Sequence, residues 1–556
     1  MAQTIVGPEA LRVVCDPEAL GFADTATLEP LGALIGQDRA VEAIGLAAQI
    51  GSPRFNLFVL GPEGSGRHTS LRALLNGHAA RRPVPDDWVY VQDFDQPERP
   101  RALRLPAGMG PRLRAVMGEV IEDLAGRIPA VLVSEEHQNR RAELDQRFAD
   151  RRDAAYERLR RAAEARGIAI IQTPTGFSIA PVRDGELMKP EAIAALSDAE
   201  RGRIDRDLEA TRRDLNEFLL SLPELTRDRQ KALAALNTTV AARAVDAALA
   251  VARQQLGRRP RGLAAHFRAL REDLVAHAEL FVHAAADDGG AFAPRARAIR
   301  EDPRFRRYDV NVVVSHPEAA RGAPVVEETL PTLGNLIGRL DHVAQQGMLS
   351  TDFTLIRAGA LHRANGGFLI LDARRLLSEP FAWDALKRCL ETRSIRLTTP
   401  EQRLGLFATA TLEPEPIPLD VRVVLVGPRD LHRALTELDP DFGQHFRVQA
   451  DFADEVARTP AGMAQFARLI ATVARDEELR PVSAAGVAAL IDAATRAAGD
   501  QGKLSLRMGP TLDLLREADH IARRRRRPVT DAADVDAAVQ ATLRRAGLPR
   551  ERMHEL

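Results

Sequence analysis

The sequence predicts an α/β fold whose core is interrupted by a long helical insertion bearing a small β-hairpin and is followed by an α-helical lid. Three observations predict it. Short apolar strand candidates alternate with amphipathic helices over the first 105 or so residues, around FVLGPEGSGRHTS at 58–70. Arg/Glu/Ala/Leu-rich stretches with helical spacing then fill most of the chain to about residue 280. Apolar runs resume at YDVNVVV, GGFLILDARRLL and VRVVLVG, and give way to helical sequence from about 455. The parts are placed at 1–110, 111–300, 301–454 and 455–556.

In the first part, GALIGQDRAVEAIGLAAQI reads as an amphipathic helix, while NLFVLG and DDWVYVQDF read as strands. The insertion opens on long helices, of which AELDQRFADRRDAAYERLRRAAEARG is the clearest. Leu144, Phe148, Ala155 and Leu159 leave one apolar stripe on a charged rod. Gly167 ends that rod, and GIAIIQTPTGFSIAPVRDGE predicts a hairpin near 167–186 turning about Thr175-Gly176. Helix resumes from about 191 to 280. A helical arm and an inert coiled-coil spacer both answer to this pattern.

The α/β pattern returns with YDVNVVV, as expected if the insertion interrupts one parallel sheet. RRRRR at 523–527 lies in the lid before Pro528. It reads as a solvated helix end or as a contact for a partner or nucleic acid, without aromatic interleaving.

Bulk composition excludes several classes. Among 556 residues, 77 basic and 78 acidic side chains leave a formal charge of -1, so bulk electrostatics does not predict binding to nucleic acid or an anionic membrane. Cys15 and Cys389 are too few for a disulfide framework or a thiolate zinc site. No basic-apolar-small succession opens the chain, and no apolar run approaches a membrane span of about 20 residues. A reducing, cytoplasmic location is expected.

The chemistry concentrates in two strand ends. FNLFVL runs into Gly61, Pro62, Glu63, Gly64, Ser65 and Gly66 and then into helix, the context in which backbone amides hold nucleotide phosphates. Gly61, Gly64 and Gly66 let the backbone approach closely. An ordinary strand-to-helix turn would use the same glycines. FLILD places Asp372 at the end of a second apolar strand, where a carboxylate positions Mg²⁺ through water or simply caps a helix.

Three substitutions weaken the catalytic reading. The G-x-x-x-x-G-K-[S/T] pattern is met by Arg67 and His68 in place of lysine and hydroxyl, and Ala373 follows Asp372. A guanidinium is not a compact ammonium. Thr69 is left as the hydroxyl candidate for the metal if the loop register differs. ATP and Mg²⁺ binding is therefore better supported than rapid hydrolysis.

Longer stretches carry a family resemblance. GAPVVEETLPTLGNLIGRL, LSTDFTLIRAGALHRANGGFLILDARRLLSEPFAWDALKRCLE, ELDPDFGQHFRVQADF and QGKLSLRMGPTLDLLREADHIA resemble the Lon-related ATP-dependent proteases of the AAA+ class, as do DWVYVQDFDQPERPRALRLPAGMG and TPTGFSIAPVRDG. The resemblance runs from about residue 10 to the C-terminus. It implies an AAA+ core, a hexameric ring or related homo-oligomer, and unfolded or damaged protein as substrate.

By that resemblance Gly61 through Thr69 form the phosphate loop and Asp372 the second acidic motif. Arg507 is similar to a lid arginine that senses the γ-phosphate, although a surface arginine on a helix fits the same position. Arg447 stands near where a trans-acting arginine finger is expected, or makes local contacts only. Ile35 and Gly36 resemble the segment beside adenine, or belong to a packed helix without base contact.

Family members continue into a Ser-Lys peptidase domain. This chain runs to LRRAGLPRERMHEL without a GPSAG-like serine motif, and His554-Glu555-Leu556 is too short for HExxH. Peptide hydrolysis by this chain is not expected. A fragment, a truncated gene product and an ATPase working with a separate peptidase all answer to that pattern. Two functions are carried forward: an ATP-driven protein-remodelling motor, and a nucleotide-responsive scaffold with little turnover. Nucleic-acid association through the basic helices is a weaker third.

Overall fold

A computed structural model describes residues 13–31, 34–62, 67–173, 176–183, 186–257, 261–287, 299, 302–345, 348–397, 412–548 and 552–553. Expectations placed on Glu63, Gly64, Ser65, Gly66, Thr175 and His554 to Leu556 lie outside the described residues. Two compact units are present: Met1–Gly110 with Asn311–Leu556, and Pro111–Val310.

The first unit is built on a parallel sheet. Its strands are β1 (Leu57–Leu60), β2 (Val325–Glu328), β3 (Phe368–Asp372), β4 (Arg422–Gly427) and β5 (Val448–Asp451), in the order β5-β1-β4-β3-β2. β1 and β4 are buried along their whole length, which is why both read as unbroken apolar runs. Alternation sorts their side chains onto two cores. Phe58, Leu60, Leu369, Leu371 and Leu425 pack with Leu386 and Phe442 on one face. Leu57, Val59, Ile370, Val424 and Val426 pack on the other against Ile44 of α1 (Asp38–Gln49) and against Leu71 and Leu75 of α2 (Arg67–Ala79). Each such fully buried side chain contributes about 1.5–3 kcal/mol. Because β5 and β4 flank β1, connections leave its neighbourhood toward both sides, and the crevice outside the strand ends is the place for a ligand.

One expectation needs correction. YDVNVVV does not enter the parallel sheet. Its Asn311–Val314 pairs antiparallel with Asp87–Val91, which also pairs antiparallel with Arg101–Leu105. The insertion therefore leaves from and returns to a separate three-stranded sheet. Asp87 explains how the two ends are held: fully buried, its carboxylate accepts N–H bonds from Gly110 at 2.8 Å and from His316 at 2.8 Å.

The second unit is chiefly helical, with α3 (Met109–Val133) entering it, then α4 (Glu135–Ala165), α5 (Asp198–Leu256) and α6 (Arg261–Ala276). The 59 residues of α5 span about 90 Å at 1.5 Å per residue. Ser197 starts α5 through a reciprocal capping box with Glu200. Gly167, at φ +73°, receives the chain at the end of α4, a conformation that costs other residues more. Ile168–Thr173 then pairs antiparallel with Gly176–Arg183 as the hairpin. Leu159, Leu215 and Phe218 form a small buried cluster with Tyr156, Ile170 and Phe177, so the end of the α4 stripe is covered by α5 and the hairpin.

Contrary to the expectation that no run approaches a membrane span, α5 contains an 18-residue window long and apolar enough by composition alone. It is an amphipathic helix by its contacts: Val245, Ala248, Leu249 and Ala252 are buried, while Asp246 pairs with Arg271 of α6. Such a helix is weak support for a membrane.

In the first unit, the lid comprises α7 (Pro460–Asp476), α8 (Ala484–Ala498), α9 (Met508–Arg524) and α10 (Ala532–Arg545), with Glu455–Ala457 paired to Lys503–Ser505. Phe466, Ile470, Leu490, Ile491 and Leu515 form its core. The arginine run is largely answered inside the lid. Arg523 pairs with Asp519 at 2.8 Å, and Arg525 and Arg527 pair with Asp534 at 2.7 and 3.2 Å, both carboxylates being buried. That favours the helix-end reading.

Candidate functional site

The strand register brings the two sequence motifs together. Leu60 lies opposite Gly427, and Val426 lies opposite both Val59 and Asp372. The exits of β1, β4 and β3 thus share one edge of the sheet, with Asp372 about 10 Å across it from the end of β1. Gly61 continues β1 at φ +152°, and α2 begins at Arg67.

Arg67 is buried, and its guanidinium donates to the carbonyl oxygens of Gly61 and, at 3.3 Å, Gly427. It ties the phosphate-loop strand to its neighbour from inside.

His68 turns toward β2, where its Nδ1 stands 3.3 Å from Glu327. The hydroxyl candidate, Thr69, is the next residue of the helix. Helix α2 buries Arg67, Leu71 and Leu75; Thr69 is about 200° round from Arg67, exposed, and its hydroxyl makes no hydrogen bond among the described residues. The helix position facing β2 thus carries an imidazole, one residue before the hydroxyl.

Asp372 caps the helix Ala373–Ser378, one oxygen accepting the Arg375 N–H at 2.9 Å. Its other oxygen has no hydrogen-bond donor among the described residues. The cap and a metal role are compatible, since each uses a different oxygen. Ala373 is buried at the start of that helix, and a Cβ on Gly427 would come within 3.2 Å of its methyl. No catalytic carboxylate can be supplied from that position.

Sequence reasoning missed Arg429. It starts the helix Arg429–Leu438 directly after β4 and bonds to Asp451, at the end of β5, at 2.9 Å. It also reaches the Phe452 carbonyl at 2.9 Å and Asp454 at 3.4 Å. The Asp451 hydrogen bond is the first cause raising its pKa. Asp454 is partly buried, which acts upward, yet Arg429's hydrogen bond and charge, with a further pull from Arg507, hold it below the ordinary carboxylate range. The signal was a cation placed at the exit of a strand adjacent to the phosphate loop.

Arg507 is exposed at the start of α9, with its backbone N–H on Ser505 Oγ at 3.2 Å. The preceding Leu506 N–H donates to the Asp454 carbonyl at 2.7 Å, which sets Arg507 close to the β5 exit. Ile35 is buried, and Gly36 stands at φ +62°, where an added Cβ would come into van der Waals contact with Val456 and Leu506. The following Gln37 donates from its side chain to the Ala453 carbonyl at 2.9 Å and accepts the Ala453 N–H at 2.8 Å. These residues line the seam where the core meets the lid.

Arg447 does not join this set. It is exposed at the opposite end of β5, its guanidinium 5.9 Å from the Phe55 ring centroid. Five residues of strand separate its level from Gly61, about 16 Å.

The residues fit a nucleotide polyphosphate better than they fit its usual metal shell. A buried cation, a helix start and a carboxylate share one edge, whereas Mg²⁺ prefers oxygen ligands and position 68 offers nitrogen. Asp372 remains a suitable oxygen ligand.

Comparison with known proteins gives the ancestry. The family model of the LonB-like AAA domain matches residues 321–453, that of the archaeal LonB AAA+ ATPase lid domain residues 481–545, and that of the Lon-like LonC helical domain residues 87–120. The archaeal Lon protease of Thermoplasma acidophilum is 29% identical over 45% of this chain and 38% of its own length. That of Thermoplasma volcanium is 28% identical over 41% and 34%. A putative Lon protease homolog of Escherichia coli is 30% identical over 28% and 26%. The matched region thus spans well under half the length of these relatives. The chain carries a LonB-like AAA+ domain with a LonB-type lid and is homologous to the archaeal Lon proteases.

Proposed function

We propose that the chain is an ATP-binding and ATP-hydrolysing motor that remodels or unfolds protein substrates. The observation that carries this reading is the shared edge of β1, β4 and β3, which sets Arg67, the start of α2 and Asp372 around one crevice. Arg67 and the loop amides would hold phosphate, and Asp372 would hold Mg²⁺ through its oxygen that does not cap a helix. Bound Mg²⁺ would offset the charge of the phosphates during transfer to water. Arg429 and Arg507 would report the phosphate state to the lid through Asp454.

Several finer points belong to the same proposal. Arg447, far from its own phosphate loop, is suited to a neighbouring subunit's site in a homo-oligomeric ring. The substrate is unfolded or damaged protein, handed to a peptidase activity outside the residues described. Two buried free thiols, Cys15 and Cys389, suit a reducing cytoplasm.

A second reading, the slow nucleotide-responsive scaffold, is favoured by a particular pair: His68 stands at the hydroxyl position, and Ala373 is buried where a water-polarising carboxylate would be needed. Titration of the full chain with a labelled ATP analogue, with and without Mg²⁺, tests the shared premise. Absence of saturable binding would reject both readings. Phosphate release measured at saturating ATP separates them: sustained turnover supports the motor, and tight binding without release supports the scaffold.

A further inference from the structure

The strand-end crevice holds a second carboxylate besides Asp372. Glu327 lies on β2 opposite Ile370 of β3, and Val325, two residues before it, packs on the sheet face shared by Ile370, Leu71 and Leu75. Strand alternation therefore turns Glu327 toward α2, and its contact with His68 at 3.3 Å agrees. Asp372 lies two residues beyond Ile370, so it belongs to the same face. One strand spacing and two residues of rise put the backbones of the two acidic residues about 8 Å apart on a diagonal. Glu328 belongs to the opposite face, where Val326 and Leu371 pack.

Glu327 differs from its acidic neighbours in how it is paired. Arg363 holds Glu328 at 2.9 Å, and Arg429 holds Asp451 at 2.9 Å. The Glu327 side chain is 34% exposed, yet no lysine or arginine answers it among the described residues. Its Oε1 meets His68 Nδ1, and its Oε2 has no hydrogen-bond donor among the described residues. An imidazole carries charge only when protonated, so this pair is a poor structural clasp. Position 68 is where a phosphate-loop hydroxyl would stand, and a carboxylate 3.3 Å from that side chain borders the phosphate end of the crevice.

We infer that Glu327 is the catalytic carboxylate of ATP hydrolysis, orienting the attacking water through Oε2 in place of the acidic residue that position 373 lacks. The inference rests on the motor reading of this crevice. The water oxygen bonds to the γ-phosphorus as the bond from that phosphorus to the β,γ-bridging oxygen breaks, and the electron pair of the broken bond leaves with ADP. Glu327 accepts the proton of the water and returns it to solvent. Across the sheet edge the order is then Arg67 at β1 and β4, Asp372 at β3 and Glu327 at β2, with the phosphate cation and the base on opposite sides of Asp372.

The full chain is compared as wild type, Glu327→Gln and Glu327→Ala for binding of a labelled ATP analogue, phosphate release at saturating ATP and thermal unfolding. Glu327→Gln should release phosphate roughly a hundredfold more slowly than the wild type while binding ATP as tightly, because a base acts only in the transition state. Both variants should melt with the wild type, since a partly exposed pair holds little of the fold. Added formate should restore part of the release in Glu327→Ala and leave the wild type unchanged, a rescue that a carboxylate serving only to position His68 would not show. Release in Glu327→Gln equal to that of the wild type, or lost together with ATP affinity, would overturn the assignment and leave the motor reading standing. A loss in His68→Thr as large as that in Glu327→Gln would pass the role to the imidazole and overturn it likewise. A wild type that binds ATP without releasing phosphate would overturn both the motor reading and this assignment.

Discussion

Asp372 is asked to do two things, and substitution separates them. It caps the helix Ala373–Ser378 with one oxygen and, in the proposed motor, holds the metal with the other. Asparagine caps a helix about as well as aspartate, so Asp372→Asn should preserve the melting temperature, whereas Asp372→Ala should cost about 1 kcal/mol. For a unit of this size that is a shift of roughly 2–4 °C or less. Turnover should behave differently. Losing the carboxylate removes charge and orientation from the metal, and electrostatic deletions of that kind typically cost about 10²–10³ in rate, roughly 3–4 kcal/mol of barrier. The assay is phosphate release at saturating ATP beside a thermal melt of each variant. Turnover in Asp372→Asn equal to wild type, with only Asp372→Ala impaired, would show that the aspartate serves the helix alone.

Three further outcomes are expected. Asp87→Ala leaves the N–H groups of Gly110 and His316 without their buried acceptor and should lower unfolding stability by about 2–5 kcal/mol, read from the denaturant midpoint. His362 is wholly buried, and burial, reinforced by the Arg363 charge, lowers its pKa from 6.5 to about 4. The unfolded chain therefore takes up this proton first: stability is full above pH 6.5 and falls by up to about 3 kcal/mol as the pH drops to 4, a slope that His362→Leu should flatten in denaturant melts. Asp534→Ala removes the acceptor of Arg525 and Arg527 and a capping-box carboxylate. Because those arginines are 44% and 40% exposed and regain water, the loss should be nearer 2 kcal/mol than the cost of a fully buried pair, measured by thermal unfolding.

The parts of this fold legible in sequence are those written in local periodicity. β1, β3 and β4 are unbroken apolar runs because both sheet faces are covered, and α4 advertises its stripe at Leu144, Phe148, Ala155 and Leu159. Partner choice was not legible. Asn311–Val314 has the same apolar character as a parallel strand, and nothing in its composition says that Asp87–Val91 will claim it. The site divides likewise. Asp372 and Gly61 follow recognisable strands, whereas Arg429 acquires meaning only when register sets the β4 exit beside Asp451 and Asp454. Thr69 sits one residue beyond His68, and on a helix that shift is a rotation of about 100°, which sequence adjacency hides.

That rotation also separates binding from turnover. Phosphate binding needs positive charge at short range, and in the proposed motor Arg67 would supply that charge from its buried position beside Gly61 and Gly427. Replacing lysine by arginine therefore changes the shape of the cradle without removing its charge. The metal is more demanding, because its ligands must be oxygens in fixed directions. His68 offers a nitrogen already engaged by Glu327, so in the proposed motor the oxygen ligand from this edge would be Asp372. A loop altered in this way should lose more in rate than in affinity. Restoring the hydroxyl in His68→Thr should consequently raise ATP turnover more than it tightens ATP binding. Equal changes in both quantities would mean that the imidazole had limited access to the nucleotide and not the chemistry performed on it.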